Sequence, residues 1–251
     1  MKKLELNKII WGDCLVEMLN IPDKSVDMIL CDLPYNTTAC HWDILIPFEP
    51  LWKEYKRIIK DNGAIVLTAS QPFTSALVMS NPDMFKYEWI WEKSRPTRFL
   101  LSKKLPLLSH ENILIFYRNQ PVYNPQKWLI GEKYIDRRKN LNSRTQKDGQ
   151  MAGIFNPRNK DDGTRYPFTI ISCDSEWKKQ MHPTQKPVAL FEYLIKTYTN
   201  EGDLVLDNCA GSFTTAIACI NLKRNWICIE KEKEYCDIGQ KRLDGLTKML
   251  F

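Results

Sequence analysis

Short, continuous apolar runs recur along this chain: KIIW (8–11), VDMILC (26–31), GAIVLT (63–68), YEWIW (87–91) and NILIFY (112–117), then DLVLD (203–207) and NWICIE (225–230). Continuous rather than alternating apolar character is what parallel strands show when both faces are covered. Between the runs the spacing becomes helical. Leu51, Tyr55, Ile58 and Ile59 share one face of EPLWKEYKRIIK, and Val188, Phe191, Leu194, Ile195 and Tyr198 share one face of PVALFEYLIKTY. A last helix is predicted through KEKEYCDIGQKRLDGLTKML (231–250). Alternating strands and helices predict an α/β fold, an open, doubly wound, mostly parallel sheet with helices on both faces.

The rhythm stops in the middle. From Asn119 to Gln180 the chain carries Pro121, Pro125, Gly131, Gly149, Gly153, Pro157, Gly163 and Pro167, with charges throughout and little periodicity. A stretch that long is expected to be a functional insertion or a small subdomain. The predicted organisation is therefore two sheet-forming parts, 1–118 and 181–251, flanking an insertion over 119–180.

Charge reinforces that division. The net charge is +6, and residues 118–180 hold 13 basic against 7 acidic residues while the remainder is balanced at 23 of each. The whole surplus lies in one segment, which suits either a solvated loop or a surface that binds a polyanion. No apolar run approaches the ~20 residues that span a bilayer. MKKLELNKII starts basic but lacks an apolar core and a cleavage site, so a cytoplasmic protein is expected. The eight cysteines form no C-x-x-C pair and several sit in apolar runs, as reduced, buried thiols do. His41, His110 and His182 have no ligand spacing with them, so no metal is expected.

Two places carry candidate chemistry. In DLVLDNCAGSFTTAIACI a strand ends in Asp207, a turn bears Gly211, and an apolar helix follows. Strand, glycine turn and helix N-terminus together make a nest of backbone N–H groups for an anionic group. Glu230 ends the next strand, 23 residues after Asp207, where an acid can bind a ribose diol. In MILCDLPYNTTACHWD (28–43) an apolar strand ends in Asp32, and Pro34 and Tyr35 follow. The carboxyl end of a strand is where open α/β sheets bind ligands. An acceptor beside a flat ring suits a base that bears an amino group.

These strings resemble the β class of DNA amino-methyltransferases, S-adenosylmethionine enzymes that modify exocyclic amino groups of bases. DLPY resembles their catalytic D-P-P-Y motif, VLDNCAGSFTTA their cofactor motif L-D-P-F-x-G-S-G-T-T, and HPTQKP (182–187) the segment preceding the cofactor half. The order (catalytic motif, target-recognition region, cofactor motif) fits too. It implies a Rossmann-like methyltransferase fold with circularly permuted motifs, in which 119–180 is the target-recognition insertion. The likeness covers essentially the whole chain apart from that insertion.

The resemblance implies roles for individual residues. Asp32 and the Leu33 carbonyl would accept the two N6 hydrogens of adenine, with Leu33 standing where the family has proline; Pro34 completes the motif, and Tyr35 would stack on the extruded base. Asp13, in WGDC, would reach the cofactor's adenine, and Glu230 would hold its ribose hydroxyls. Asp207, Gly211 and Ser212 would surround its methionine end, with Thr184, Gln185 and Lys186 closing that side. The implied function is a site-specific methyltransferase acting on adenine N6 in double-stranded DNA after base flipping. A homodimer and a cognate restriction enzyme are the further partners the family suggests.

Three alternatives stand beside that reading. Cytosine-N4 enzymes of the family usually carry serine where this chain has Asp32. Relatives that methylate RNA or protein amides usually have asparagine there. A non-catalytic DNA-binding relative is the third, because Phe213 replaces the second glycine of the cofactor motif and must point its ring away or reshape the pocket. For DNA contacts the candidates are Lys93, Arg95 and Arg98 in WEKSRPTRF, read as a flexible loop, and Arg137, Arg138, Lys139, Arg144 and Lys147 in the insertion. SQPFTS (70–75) resembles a family segment near the cofactor and equally suits a helix cap; His41 and Trp42 line the base pocket or only pack their loop.

Overall fold

The computed structural model describes residues 4–36, 40–129, 163–173 and 185–250, the last five without their side chains. In chain order the elements are β1 (Lys8–Trp11), α1 (Cys14–Glu17), β2 (Val26–Asp32), α2 (Phe48–Ile58), β3 (Ile59–Ala69), α3 (Phe73–Ser80), β4 (Phe85–Thr97), β5 (Leu108–Phe116), β6 (Trp128–Leu129), β7 (Thr164–Arg165), β8 (Ile170–Cys173), α4 (Val188–Tyr198), β9 (Leu204–Asp207), α5 (Thr214–Asn221), β10 (Asn225–Glu230) and α6 (Lys233–Leu250). Each apolar run read from the sequence forms the body of a strand.

The main sheet has the order β1-β10-β9-β2-β3-β5-β4-β8. It is parallel except at β5, which runs against both β3 and β4. The C-terminal strands β9 and β10 lie between β1 and β2, so the two sheet-forming parts interleave into one sheet. Successive residues of the central strands serve opposite faces. Met28, Leu30, Val66 and Val205 pack with Leu190, Leu194 and Ala216 of α4 and α5. Ile29, Cys31, Leu67 and Leu206 pack with Leu51, Tyr55 and Ile58 of α2. Burial on both faces is the reason these strands read as continuous apolar runs.

Helix α2 ends one residue earlier than its apolar stripe. Ile59 was expected on the helical face; its backbone is extended and it opens β3 opposite Val26. A β-branched side chain suits the ladder better than the last turn of a helix. A second difference lies in the 119–180 stretch, where Ile170–Cys173 forms β8 beside β4. Four residues among prolines and charges are too few to announce a strand.

Pro125–Phe168 forms a separate compact unit. Within it β6 pairs antiparallel with β7, Trp128 lies 5.8 Å from Phe168 between ring centroids, and the Lys127 ammonium sits 4.7 Å from the Tyr166 ring. Among the described residues no helix is long and apolar enough to cross a membrane.

Candidate active site

Parallel strands bring their carboxyl ends to one edge, and there a cleft of about 920 Å³ opens. That size is typical of a small-molecule site. Asp13 follows β1, Asp32 ends β2, Asp207 ends β9 and Glu230 ends β10, and all four line the cleft with Leu33, Pro34, Tyr35, Gln185, Lys186, Gly211 and Ser212. The register explains the convergence: Trp11 pairs with Glu230, Cys228 with Asp207, and Asp32 with Thr68.

Asp32 is held from three sides. Its Oδ1 accepts from the Tyr35 hydroxyl at 2.7 Å and from the Thr68 hydroxyl, and its Oδ2 accepts from Lys186 Nζ at 2.6 Å. Lys186 also lies 3.2 Å from Glu111, whose other oxygen is 2.5 Å from Lys93. The result is a largely buried row of alternating charge: Asp32, Lys186, Glu111, Lys93. Burial by itself would lower the Lys186 ammonium's pKa, but Asp32 and Glu111 outweigh it and hold the group above the ordinary lysine range. The Tyr35 ring stacks on Phe73 with centroids 5.0 Å apart and planes 25° from parallel. Burial, and then the neighbouring Asp32 and Glu111 charges, push its phenol well above the usual range.

The other end of the cleft is built by the turn between β9 and α5. Glu230 Oε2 accepts from Gly211 N at 2.7 Å and its Oε1 from Glu232 N at 2.8 Å. Burial raises the Glu230 carboxyl, and those backbone N–H groups oppose the shift. Asp207 is 3% exposed and accepts from Cys209 N and the Thr215 hydroxyl. Burial pushes it up to about 7. Asp13 caps α1 by accepting from Leu15 N at 2.9 Å. Tyr55 of α2 donates to Asn208 Oδ1 at 2.5 Å, which ties the turn to the opposite layer.

Phe213 adopts a left-handed conformation, φ 61° and ψ 34°, immediately before α5. Its side chain is fully buried, lies among the core residues of α4 and α5, and is absent from the cleft lining, where Ser212 and Thr214 on either side are present. The ring packs against the bare Cα of Gly239 on α6. A glycine normally supplies this backbone conformation. Here the phenylalanine adopts it with the ring turned into the core, so the pocket keeps its opening.

The structure departs from the sequence reading in several places. Residues 93–97 of WEKSRPTRF, expected in a flexible loop, continue β4. Lys93 is 9% exposed at its side chain and engaged by Glu111, so it offers no free cation to a polyanion. Arg95 and Arg98 line the cleft mouth on the exposed hairpin. SQPFTS leads into α3, whose first residue, Phe73, backs Tyr35. His41 lies 3.5 Å from Glu232, and Trp42 meets Tyr235 edge-on; both line the cleft. Thr184, Arg137, Arg138, Lys139, Arg144 and Lys147 lie outside the described residues. Thr68, Phe73, Glu111 and Gly239 were missed. An acid just before an apolar strand was the available signal for Glu111, and a hydroxyl closing one was the signal for Thr68.

Comparison with known proteins agrees with this geometry. A family model described as DNA methylase matches residues 26–241. The chain is 31% identical over 255 residues to the DNA adenine methyltransferase YhdJ of Escherichia coli strain K12, a match covering 96% of this chain and 83% of that protein. It is 27% identical over 250 residues to the type II methyltransferase M.HpaI of Haemophilus parainfluenzae, covering 95% and 74%. Among solved structures, the M1.HpyAVI–SAM complex matches with a TM-score of 0.62 at 26% identity, over 94% of this chain and 98% of that one. The cytosine-N4-specific PvuII DNA methyltransferase matches with a TM-score of 0.67 over 93% and 84%; at 16% identity it shows the Rossmann-like fold alone. With the family model spanning most of the chain and residues of DLPY and of the Asp207–Ser212 turn meeting in one cleft, this chain belongs to the DNA methylase family and is an S-adenosylmethionine-dependent DNA methyltransferase of the N6/N4 type.

Proposed function

We propose that this enzyme methylates adenine at N6, at a specific site in duplex DNA, after the base has been extruded into the cleft. The observation that carries the reading is Asp32, a carboxylate with its flanking ring at the edge of a cleft that also holds Asp207 and Glu230. An aspartate there, and the name of the adenine relative, favour adenine over cytosine.

The residues present fit S-adenosylmethionine. The Phe213 ring points away from the Gly211–Ser212 turn, and the Glu230 carboxylate, held by backbone N–H groups of Gly211 and Glu232, faces the cleft where a ribose hydroxyl can reach it. When bound, the cofactor supplies an electrophilic methyl group on its sulfonium. Asp13 would reach its adenine, and Ser212, Gln185 and Lys186 its methionine end.

The chain's task is to aim a weak nucleophile. The amino nitrogen of adenine has its lone pair delocalised into the ring. Accepting its hydrogens at Asp32 and the Leu33 carbonyl favours a tetrahedral nitrogen with that pair directed at the methyl, and positioning does the rest. Asp32 Oδ1 is occupied by Tyr35 and Thr68, which leaves Oδ2, the oxygen Lys186 holds. An arriving amino group shares that oxygen or displaces Lys186 toward Glu111. Pro34 fixes the turn, and Tyr35, braced by Phe73, supplies the stacking ring.

The insertion over 119–180 is proposed as the target-recognition region, gripping phosphates and reading base edges. The type II designation of a relative supports a cognate restriction enzyme as partner, and a homodimer is proposed on the family resemblance. Asp32→Ala tests the central role. Tritiated-methyl transfer to DNA should fall to background while calorimetric cofactor affinity stays within about twofold. Mass spectrometry of nucleosides from DNA treated with the unaltered enzyme should show N6-methyladenine; N4-methylcytosine instead would overturn the adenine reading.

A further inference from the structure

Asn112 of β5 pairs with Ala69, one residue beyond the Thr68–Asp32 level. From Asn112 the β4–β5 pairing runs past β3, with Glu92 opposite His110 and, after a register shift, Thr97 opposite Leu108. Four more residues at about 3.4 Å each carry it on the order of 14 Å beyond the sheet edge. β4 is parallel to the strands whose carboxyl ends form the cleft, so this extension overhangs the cleft mouth. Arg95, Pro96, Thr97, Arg98, Leu101 and Leu108 line that side.

The tip of the hairpin is apolar and bare. Phe99 is 77% and Leu100 97% exposed, and Leu101, Leu105 and Leu107 are exposed beside them. Contiguous apolar exposure of this kind marks an interaction site. Residues 94–108 contain Arg95, Arg98, Lys103 and Lys104 and no acid. An isologous contact with a second copy would set Arg98, Lys103 and Lys104 against themselves. A polyanion is the complementary partner.

We propose that the Phe99–Leu100 tip is a wedge that enters the base stack of duplex DNA beside the target and occupies the space an extruded base leaves. Apolar side chains inserted between base steps are an established means of unstacking them. The length of hairpin past the end of β3 exceeds the depth of either groove, about 8 Å. Its flanking cations hold the phosphates on either side, and its position at the cleft mouth puts the tip next to the Asp32–Tyr35 site. The proposal rests on the extrusion reading above and names the residues that drive it.

The test uses the full-length enzyme and unmethylated genomic DNA, either intact or heat-denatured to single strands. Unaltered enzyme must methylate the intact duplex; if it methylates only denatured DNA, the duplex reading fails, and the wedge with it. Phe99→Ala/Leu100→Ala should lower kcat/KM on duplex about tenfold or more and on denatured strands less than threefold, with cofactor affinity and salt dependence unchanged. Arg98→Ala/Lys103→Ala/Lys104→Ala should instead weaken both substrates and flatten the salt slope. Equal loss on duplex and single strands, or no loss on duplex, overturns the wedge while leaving the methyltransferase reading standing. So does finding that the double variant's defect is lost self-association in sedimentation, or lost binding to phosphatidylserine vesicles with duplex methylation intact.

Discussion

The ring of Phe213 occupies the space in which a side chain at residue 239 would begin. A Cβ built on Gly239 overlaps Phe213 Cδ2 and Cε2, so the absent side chain on α6 and the phenylalanine before α5 form one packing unit. Gly239→Ala should destabilise the protein by about 1–3 kcal/mol through overpacking. Phe213→Ala alone should cost roughly 3–5 kcal/mol for the cavity. The double variant should cost less than the sum of the two, because the alanine at 239 refills space the ring has left. Urea unfolding of the four proteins checks this, and additive effects would contradict the pairing.

Asp207 should make stability fall as pH rises. Its folded pKa of about 7 stands above the ordinary 3.8, so the native state keeps a proton that the unfolded chain releases. The stabilisation is complete below the unfolded value and is lost as pH climbs through the folded one. The difference between those two values bounds the contribution at about 4 kcal/mol. Asp207→Asn removes the titration. The melting temperature of that variant, minus that of the unaltered enzyme, should therefore be more positive at pH 8 than at pH 5.

Glu111 is shared by two buried ammonium groups, Lys93 and Lys186. Glu111→Gln leaves both without their common carboxylate and should cost on the order of 3 kcal/mol. Glu111→Gln/Lys93→Met should recover part of that loss. Lys186→Met, which frees Asp32 Oδ2 and removes an ammonium from the cofactor's proposed methionine end, should lower kcat and weaken cofactor binding together. A Lys186→Met enzyme with unchanged turnover would show that the ammonium plays no part in setting Asp32.

For the basic insertion, Arg137→Ala/Arg138→Ala/Lys139→Ala should weaken binding to all duplexes alike. Each lost phosphate contact should reduce the magnitude of the log K versus log salt slope by about 0.9. Cofactor affinity should not change. Unaltered affinity and slope would remove this cluster from the DNA contact.

Much of this architecture was legible because burial on both sheet faces writes itself into local sequence. VDMILC and NWICIE could hardly be anything but interior strands, and their terminal acids followed from where strands end. The unread features depend on residues distant along the chain. Lys186 meets Asp32 across 154 positions, and no spacing rule joins them. Phe213 looked like damage to the glycine turn because its compensation, Gly239, lies on another helix. The extension of β4 through Thr97 was hidden by Arg95 and Pro96, residues that read as loop. They are exposed and lie where the β4–β5 register shifts between Glu92 and Thr97, so neither an apolar face nor a ladder hydrogen bond is required of them.

The placement of β9 and β10 between β1 and β2 also imposes a schedule on synthesis. Leu204 N donates to Asp27 Oδ2 across 177 positions, and until β9 exists that edge of β2 has no neighbour. At about 5–20 residues per second, translation leaves the edge open for roughly 9 to 35 seconds. An apolar strand edge exposed for so long is a target for wrong pairing and for chaperones. The same interval separates DLPY from the turn that completes the cleft. A nascent chain on the ribosome therefore carries DLPY long before the other wall of its cleft exists, and the cleft becomes whole only when the centre of the sheet closes.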